Sequence, residues 1–223
     1  MCVTFKPSRP KNFQRAFQTE APADADWKEQ VHPDELAPII MHDSSEQRIA
    51  LLASYGMIPK ARQDNKRFTT VNACAETLGQ RMSYSAAWKN AQLCLVPLTA
   101  FIEPSYETGQ CEMWEIGRSD TEDFAVAGLW RAWREAGGNY SYSFTQITIN
   151  ADDHAVMQRF HPAGEEKRSL VILHEDDYDD WLSCRNPERA RTYLQAFPAE
   201  RMQTRPAPRK RQKEEDTTQG SLF

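Results

Sequence analysis

From position 93 to 101 the chain reads Leu-Cys-Leu-Val-Pro-Leu-Thr-Ala-Phe, nine residues with a single polar side chain. A run this apolar and this short has the pattern of a strand buried on both faces, and Pro97, which has no N–H to give a ladder, should break or bulge it. Further strand signals follow at 111–116, 124–130 and 140–149, with turn chemistry at Gly109 and Gly137-Gly138. Connections that short leave no room for a crossover helix, so these strands should pair antiparallel. Helical patterns lie before and after them, which makes the fold class α+β.

At 223 residues with 40% hydrophobic content, the chain is long enough for one domain with a proper core. A strand is expected at 2–5, where Val3 and Phe5 alternate with Thr4, then a short amphipathic helix at 11–19. Strands at 37–41 and 48–55 precede a polar, basic surface loop at 60–67. A helix is read at 83–90 with Trp88 inward, another at 152–160 delivering His161 at its end, a buried strand at 170–173, and closing helices at 176–184 and 187–197. From about 199 the composition turns to Pro, Arg, Lys, Glu and Gln, so 1–198 should form the domain and 199–223 a disordered basic tail.

Net charge is −5, and because six basic and three acidic residues lie from Arg201 onward, the body before it carries 21 basic against 29 acidic. A nucleic-acid site on such a body would have to be a local basic cleft, sensitive to salt. The five cysteines are an odd number without paired spacing, which fits reduced thiols in a reducing compartment. Neither the opening residues nor any later run has the apolar length of a signal or a membrane span, and no zinc-type spacing occurs. The expectation is a cytoplasmic chain without membrane, metal or cofactor.

The chain begins Met1-Cys2. Initiator Met is removed when the next side chain is small, and removal here would leave an α-amine and a thiol on neighbouring carbons, both partly available near neutral pH. A 1,2-aminothiol captures an aldehyde as an imine and closes it to a thiazolidine. A Cys at position 2 is also what an ordinary frayed terminus carries by accident. Other motifs follow in order: Gly56-Met57-Ile58-Pro59, then Asn72-Ala73-Cys74-Ala75-Glu76-Thr77, then Cys94-Leu95-Val96-Pro97 leading to Glu103, then Val156-Met157 leading to His161.

In this order, with Cys fixed at position 2, the motifs resemble those of the SRAP family (SOS response-associated peptidase), whose members shield abasic sites in single-stranded DNA through a covalent crosslink. The resemblance spans residues 1 to about 185. It implies a single domain of mostly antiparallel sheets in a barrel-like core with peripheral helices, acting as a monomer on abasic single-stranded DNA, nucleoid-associated when bound. It implies Cys2 as nucleophile, Glu103 as the acid that opens the sugar, His161 as proton shuttle and Asn72 as the group holding amine or sugar in register. Taken alone, Glu103 also reads as a carboxylate at a strand end, His161 as a helix-dipole partner and Asn72 as an N-cap. At the end of an apolar run Glu103 should be desolvated toward its protonated form.

By the same resemblance Pro38, Gly56, Met57, Ile58, Pro59, Thr148 and Arg168 should contact DNA, the loop 56–59 as a wedge, with Lys60, Arg62, Lys66 and Arg67 supplying charge. Three departures stand out: Val3-Thr4 replaces the usual Gly-Arg, Cys74 replaces an Arg, and the segment from His161 to Leu170 is longer than in most members. They predict retained chemistry with altered DNA contacts. The end, Gln219-Gly220-Ser221-Leu222-Phe223, resembles the peptide by which bacterial proteins dock on the sliding clamp, which makes Gln219, Ser221, Leu222 and Phe223 clamp-binding candidates. Two other classes of function stay open at this level: an N-terminal-cysteine peptidase using His161 to activate the thiol, and a non-catalytic module that binds single strands at forks.

Overall fold

The computed structural model describes residues 3–24, 26–63 and 68–208. Cys2, Lys66, Arg67, Gln219, Ser221, Leu222 and Phe223 lie outside the described residues. The elements in order are β1 (Thr4–Pro7), α1 (Phe13–Phe17), β2 (Leu36–His42), β3 (Arg48–Tyr55), β4 (Asn72–Cys74), α2 (Met82–Lys89), β5 (Leu93–Ser105), β6 (Glu112–Arg118), β7 (Phe124–Arg134), β8 (Tyr140–Asn150), β9 (Arg168–Leu170), α3 (Tyr178–Ser183), α4 (Pro187–Arg191) and β10 (Met202–Pro206).

Five strands close a ring. β2 and β3 form an antiparallel hairpin, β3 runs parallel to β8 through Ser54↔Ser143 and Tyr55↔Phe144, β8 pairs antiparallel with β7, β7 with β5, and β5 returns to β2 at Ile40↔Leu95. The expected antiparallel pairs of β5 to β8 form, within the α+β barrel that the motifs implied. The parallel pairings of β3 and β4 with β8 are additional, and they join segments far apart in the chain. β1 and β6 flank the second half of β5, β10 adds to β6, and β9 adds to β8.

The apolar run is apolar because both faces of β5 are buried. Cys94, Val96 and Leu98 point into the ring with Ile39, Ala53, Phe124 and Val126. Leu93 and Leu95 point outward beneath Trp88 of α2 and Trp181 and Leu182 of α3. The strand continues through Pro97, and the irregularity falls two residues later: Lys6 lies opposite Ala100 but Pro7 opposite Leu98, which leaves Thr99 as the extra residue of a bulge. That one residue resets the alternation, so Phe101, and with it Glu103, continues on the inner side while Ile102 faces out.

Gly128 shows how tightly the ring closes. A Cβ there would come within 2.9 Å of Cys94 Sγ, Val96 Cγ2 and the Thr145 carbonyl. Gly128→Ala should therefore cost about 1–3 kcal/mol by overpacking, a fall of about 2–12 °C in a thermal melt. An unchanged melt would mean that β7 shifts freely, against this packing.

Several expected elements are corrected. Residues 152–160 form turns with one 3₁₀ turn at Met157–Arg159, because the His154 ring accepts the Val156 and Met157 N–H groups and so competes with a helical ladder. The helix expected at 11–19 shortens to Phe13–Phe17 and ends at the left-handed Gln18, and that at 187–197 shortens to Pro187–Arg191. The tail does not begin at 199. Met202–Pro206 pairs with β6, and Arg205 reaches buried Glu115 at 2.8 Å. Composition missed this strand because a free sheet edge offers a backbone ladder that needs few apolar side chains.

Candidate functional site

The bulge in β5 and the loop after the 3₁₀ turn bring two sequence-predicted residues together. Glu103 is 1% exposed and His161 6% exposed, and His161 Nε2 lies 3.3 Å from Glu103 Oε2. They are 58 positions apart in the sequence, and the backbone explains the meeting. Phe160 bridges to Ser105, the His161 N–H donates to the Pro104 carbonyl at 2.9 Å, and Lys167 Nζ donates to the carbonyls of His161 and Pro162 at 2.9 and 2.7 Å. His161 sits at φ 68°, a left-handed conformation that costs a non-glycine residue energy and persists only where the surroundings impose it.

Burial above all, with nearby positive charge adding to it, pushes the His161 imidazole down to about 4. A pKa held this low favours the uncharged ring at neutral pH. A neutral imidazole against a buried carboxyl forms a pair that can hold and relay a proton without leaving an isolated charge in a dry site. Any limb of a pH–rate profile owed to His161 should thus lie near pH 4, with activity falling below it as the ring gains a proton and loses its lone pair. A limb near 6.5 that disappears in His161→Gln would overturn this.

Asn72 starts β4 opposite Gln146 of β8 and is 8% exposed. It does not cap a helix, since Cys74 occupies that position before the 3₁₀ turn Ala75–Thr77. Its carbonyl accepts from Tyr84 Oη at 2.9 Å. Gln146 Oε1 accepts from Tyr55 Oη at 2.9 Å, and Tyr55 stacks on Phe144 and meets the edge of Phe5 of β1, which pairs with Phe101 of β5. This aromatic layer connects the Asn72 side of the ring to the Glu103 side. β1 is antiparallel to β5 with Thr4 opposite Ile102, so moving back along β1 from Thr4 means moving along β5 toward Glu103.

The expected DNA contacts divide. Ile58 and Pro59 are half-buried at a surface loop. Met57 is fully buried among the outer core residues, its N–H donating to Thr70 and its carbonyl accepting from Ser143 Oγ, so it anchors the loop and is no wedge. Gly56, at φ 135°, makes the turn that seats this anchor. Pro38 is buried within β2. Thr148 is buried, and Arg168, 5% exposed, donates to its carbonyl at 2.7 Å while holding Glu76 at 2.9 Å and Glu166 at 2.7 Å. Arg168 thus braces β8 and β9 to the Asn72 motif, and it is engaged inside the fold. Lys60 pairs with Asp34, and Arg62 with Glu135.

Sequence reasoning missed Glu76, Glu166 and Lys167 as positioning groups. Glu76 lay within a recognised motif, but its partner is 92 residues away and only the β8–β9 pairing reveals it. A pocket of about 760 Å³ opens on the outer face of β5, lined by Thr4, Lys6, Ile102 and Glu115, and contains none of Asn72, Glu103 or His161. Among the described residues no helix is long and apolar enough to cross a membrane, and no cluster of three or more His, Cys, Asp or Glu side chains could hold a metal ion.

Comparison with known proteins places this geometry in context. The model of a family described as SOS response associated peptidase (SRAP) matches residues 1–212. The chain is 28% identical over 177 residues to the abasic site processing protein YobE of Bacillus subtilis, covering 78% of this chain and 77% of that one. It is equally similar, at 28% over 177 residues with 78% and 75% covered, to the abasic site processing protein YoqW of Bacillus phage SPbeta. Among solved structures, a protein of Bordetella bronchiseptica superposes with a TM-score of 0.84 at 30% identity, covering 93% of this chain and all of the other. A protein of Bacteroides thetaiotaomicron, at 19% identity and a TM-score of 0.73 over 93% and 92% of the two chains, shares the fold.

Proposed function

The chain belongs to the SOS response associated peptidase (SRAP) family, and on that premise we propose that it processes abasic sites in single-stranded DNA by linking itself covalently to them through Cys2. The observation that carries this reading is the buried Glu103–His161 pair at the end of β5 toward which β1 leads. The printed names of the curated relatives, abasic site processing proteins, support the choice of substrate.

The chemistry follows from the groups. An abasic sugar is mostly a closed hemiacetal, so a proton must reach the ring oxygen while one leaves the anomeric hydroxyl before an aldehyde exists. Glu103 supplies and recovers these protons, with the neutral His161 imidazole accepting and returning them. With Met1 removed, the Cys2 amine adds to the aldehyde carbon to give a carbinolamine, whose hydroxyl leaves as water when Glu103 protonates it. The Cys2 thiol then adds to the imine carbon and its proton passes to the nitrogen. One C–N and one C–S bond form and one water is released, with no change of oxidation state. Asn72, fixed between β8 and Tyr84, holds the amine or the sugar in register.

Intact mass spectrometry of the purified full chain tests this directly. The expected mass lacks one methionine, and incubation with a single-stranded oligonucleotide bearing one abasic site adds the mass of that oligonucleotide less one water. A retained Met1, or a mass that never shifts, defeats the proposal. Turnover of peptide substrates without an adduct would favour hydrolysis instead.

A further inference from the structure

We propose that the ribbon formed by the ends of β7 and β8 is a second contact surface for the strand whose abasic sugar occupies the site; this rests on the function proposed above. β7 leaves its last neighbour where the Trp130 N–H donates to the Gln92 carbonyl, and beyond that point it pairs only with β8, from Trp130↔Phe144 to Arg134↔Tyr140. A ribbon needs only turn residues and modest packing to persist, yet this one is rich in arginine and aromatic rings.

One face carries Arg131 and Trp133. The Arg131 guanidinium lies 4.0 Å from the Trp133 ring centroid and that of Arg62 4.8 Å from it. The other face carries Arg134, Tyr142 and Tyr140, the last 57% exposed. Arg131 and Arg134 are both exposed, and among the described residues no carboxylate lies within ion-pair distance of either. Between the ribbon and β3 runs a groove of about 520 Å³ whose walls include Leu36, Pro59, Arg62, Tyr140 and Tyr142.

These features select the partner. On a chain of net charge −5, a projecting patch of three arginines and one glutamate is locally basic, so it suits phosphate. Exposed tyrosine beside guanidinium planes suits unpaired bases, which stack on such surfaces regardless of sequence. The groove is also tied to the site. Trp133 Nε1 donates to Ser143 Oγ at 2.8 Å, and Ser143 Oγ donates to the carbonyl of Met57, which anchors the loop carrying Ile58 and Pro59. On β8 the residue opposite Asn72 is Gln146, and from Gln146 to Tyr140 is about 20 Å at ~3.3 Å per residue, about six nucleotides at ~3.4 Å each.

The test uses the full chain as wild-type reference and two variants, Arg131→Gln/Arg134→Gln and Tyr140→Ser, both changed at exposed positions. Binding is read as salt-dependent affinity for an undamaged 20-nucleotide single strand and its duplex, and adduct formation is read on abasic oligonucleotides of about 5 and 20 nucleotides. Losing two phosphate contacts should lower the slope of log affinity against log salt by about 1.4. Tyr140→Ser should weaken single-strand binding about fivefold or more and leave duplex binding unchanged. Both variants should keep the wild-type adduct rate on the short oligonucleotide and lose the advantage that the long one has. An unchanged slope, or equal losses on single strand and duplex, overturns the proposal. If wild type forms no adduct with any oligonucleotide, the function itself fails, while the slope still reports on the ribbon.

Discussion

Cys2→Ala should leave no adduct that survives denaturing electrophoresis, and Glu103→Gln should slow adduct formation by about 10²- to 10⁴-fold, or about 2.7–5.4 kcal/mol of barrier. The two losses differ in kind. Without the Cys2 thiol the C–S bond that closes the ring cannot form, and an imine to the alanine amine alone hydrolyses back to aldehyde and amine. Gln at 103 keeps the size and a hydrogen-bonding end but can neither give nor take a proton, so every step that opens the sugar or expels water must draw on solvent. Because Glu103 is 1% exposed and an amide has nearly the size and shape of the carboxyl it replaces, Gln there should leave the fold about as stable as before. Slow chemistry with an intact melt is the signature expected. A Glu103→Gln protein that crosslinks within tenfold of wild type would assign the proton work elsewhere.

Arg168→Ala should lower the melting temperature of the free protein by about 4–12 °C, from a loss of about 2–3 kcal/mol. Its guanidinium joins Glu76, Glu166 and the Thr148 carbonyl, so truncation removes charge-assisted bonds and leaves a buried carbonyl without that donor. Arg168→Lys should recover little, because a compact ammonium cannot reach all three acceptors in the planar arrangement that a guanidinium spans. The alternative, an arginine reserved for DNA phosphate, predicts the reverse: an unchanged melt and a smaller salt slope for binding. Thermal melts of the DNA-free variants decide between them.

How much was readable in advance differs between elements. The strands at the centre announced themselves through periodicity and short loops, because burial on one or both faces leaves its mark on every residue. The candidates for the chemistry were readable only through motif order. Helix lengths were not, since a competing side chain such as His154, or a left-handed residue such as Gln18, ends a helix locally for reasons that apolar spacing does not encode. The strand Met202–Pro206 escaped because backbone pairing to an open edge is nearly independent of side-chain type.

By itself, then, the order of residues determined that a central apolar strand leads to Glu103, that a histidine follows the next strands, and that a cysteine stands at position 2. Tertiary structure alone decided that Glu103 faces inward, since the single extra residue at Thr99 reverses the alternation, and that a strained backbone at His161 brings its ring to that carboxyl. It also turned Arg168 from a candidate DNA contact into an internal brace. The physical reason is common to all three. Which face a strand residue occupies, and which distant charge it meets, depend on register between segments, and register is a property of the assembled sheet.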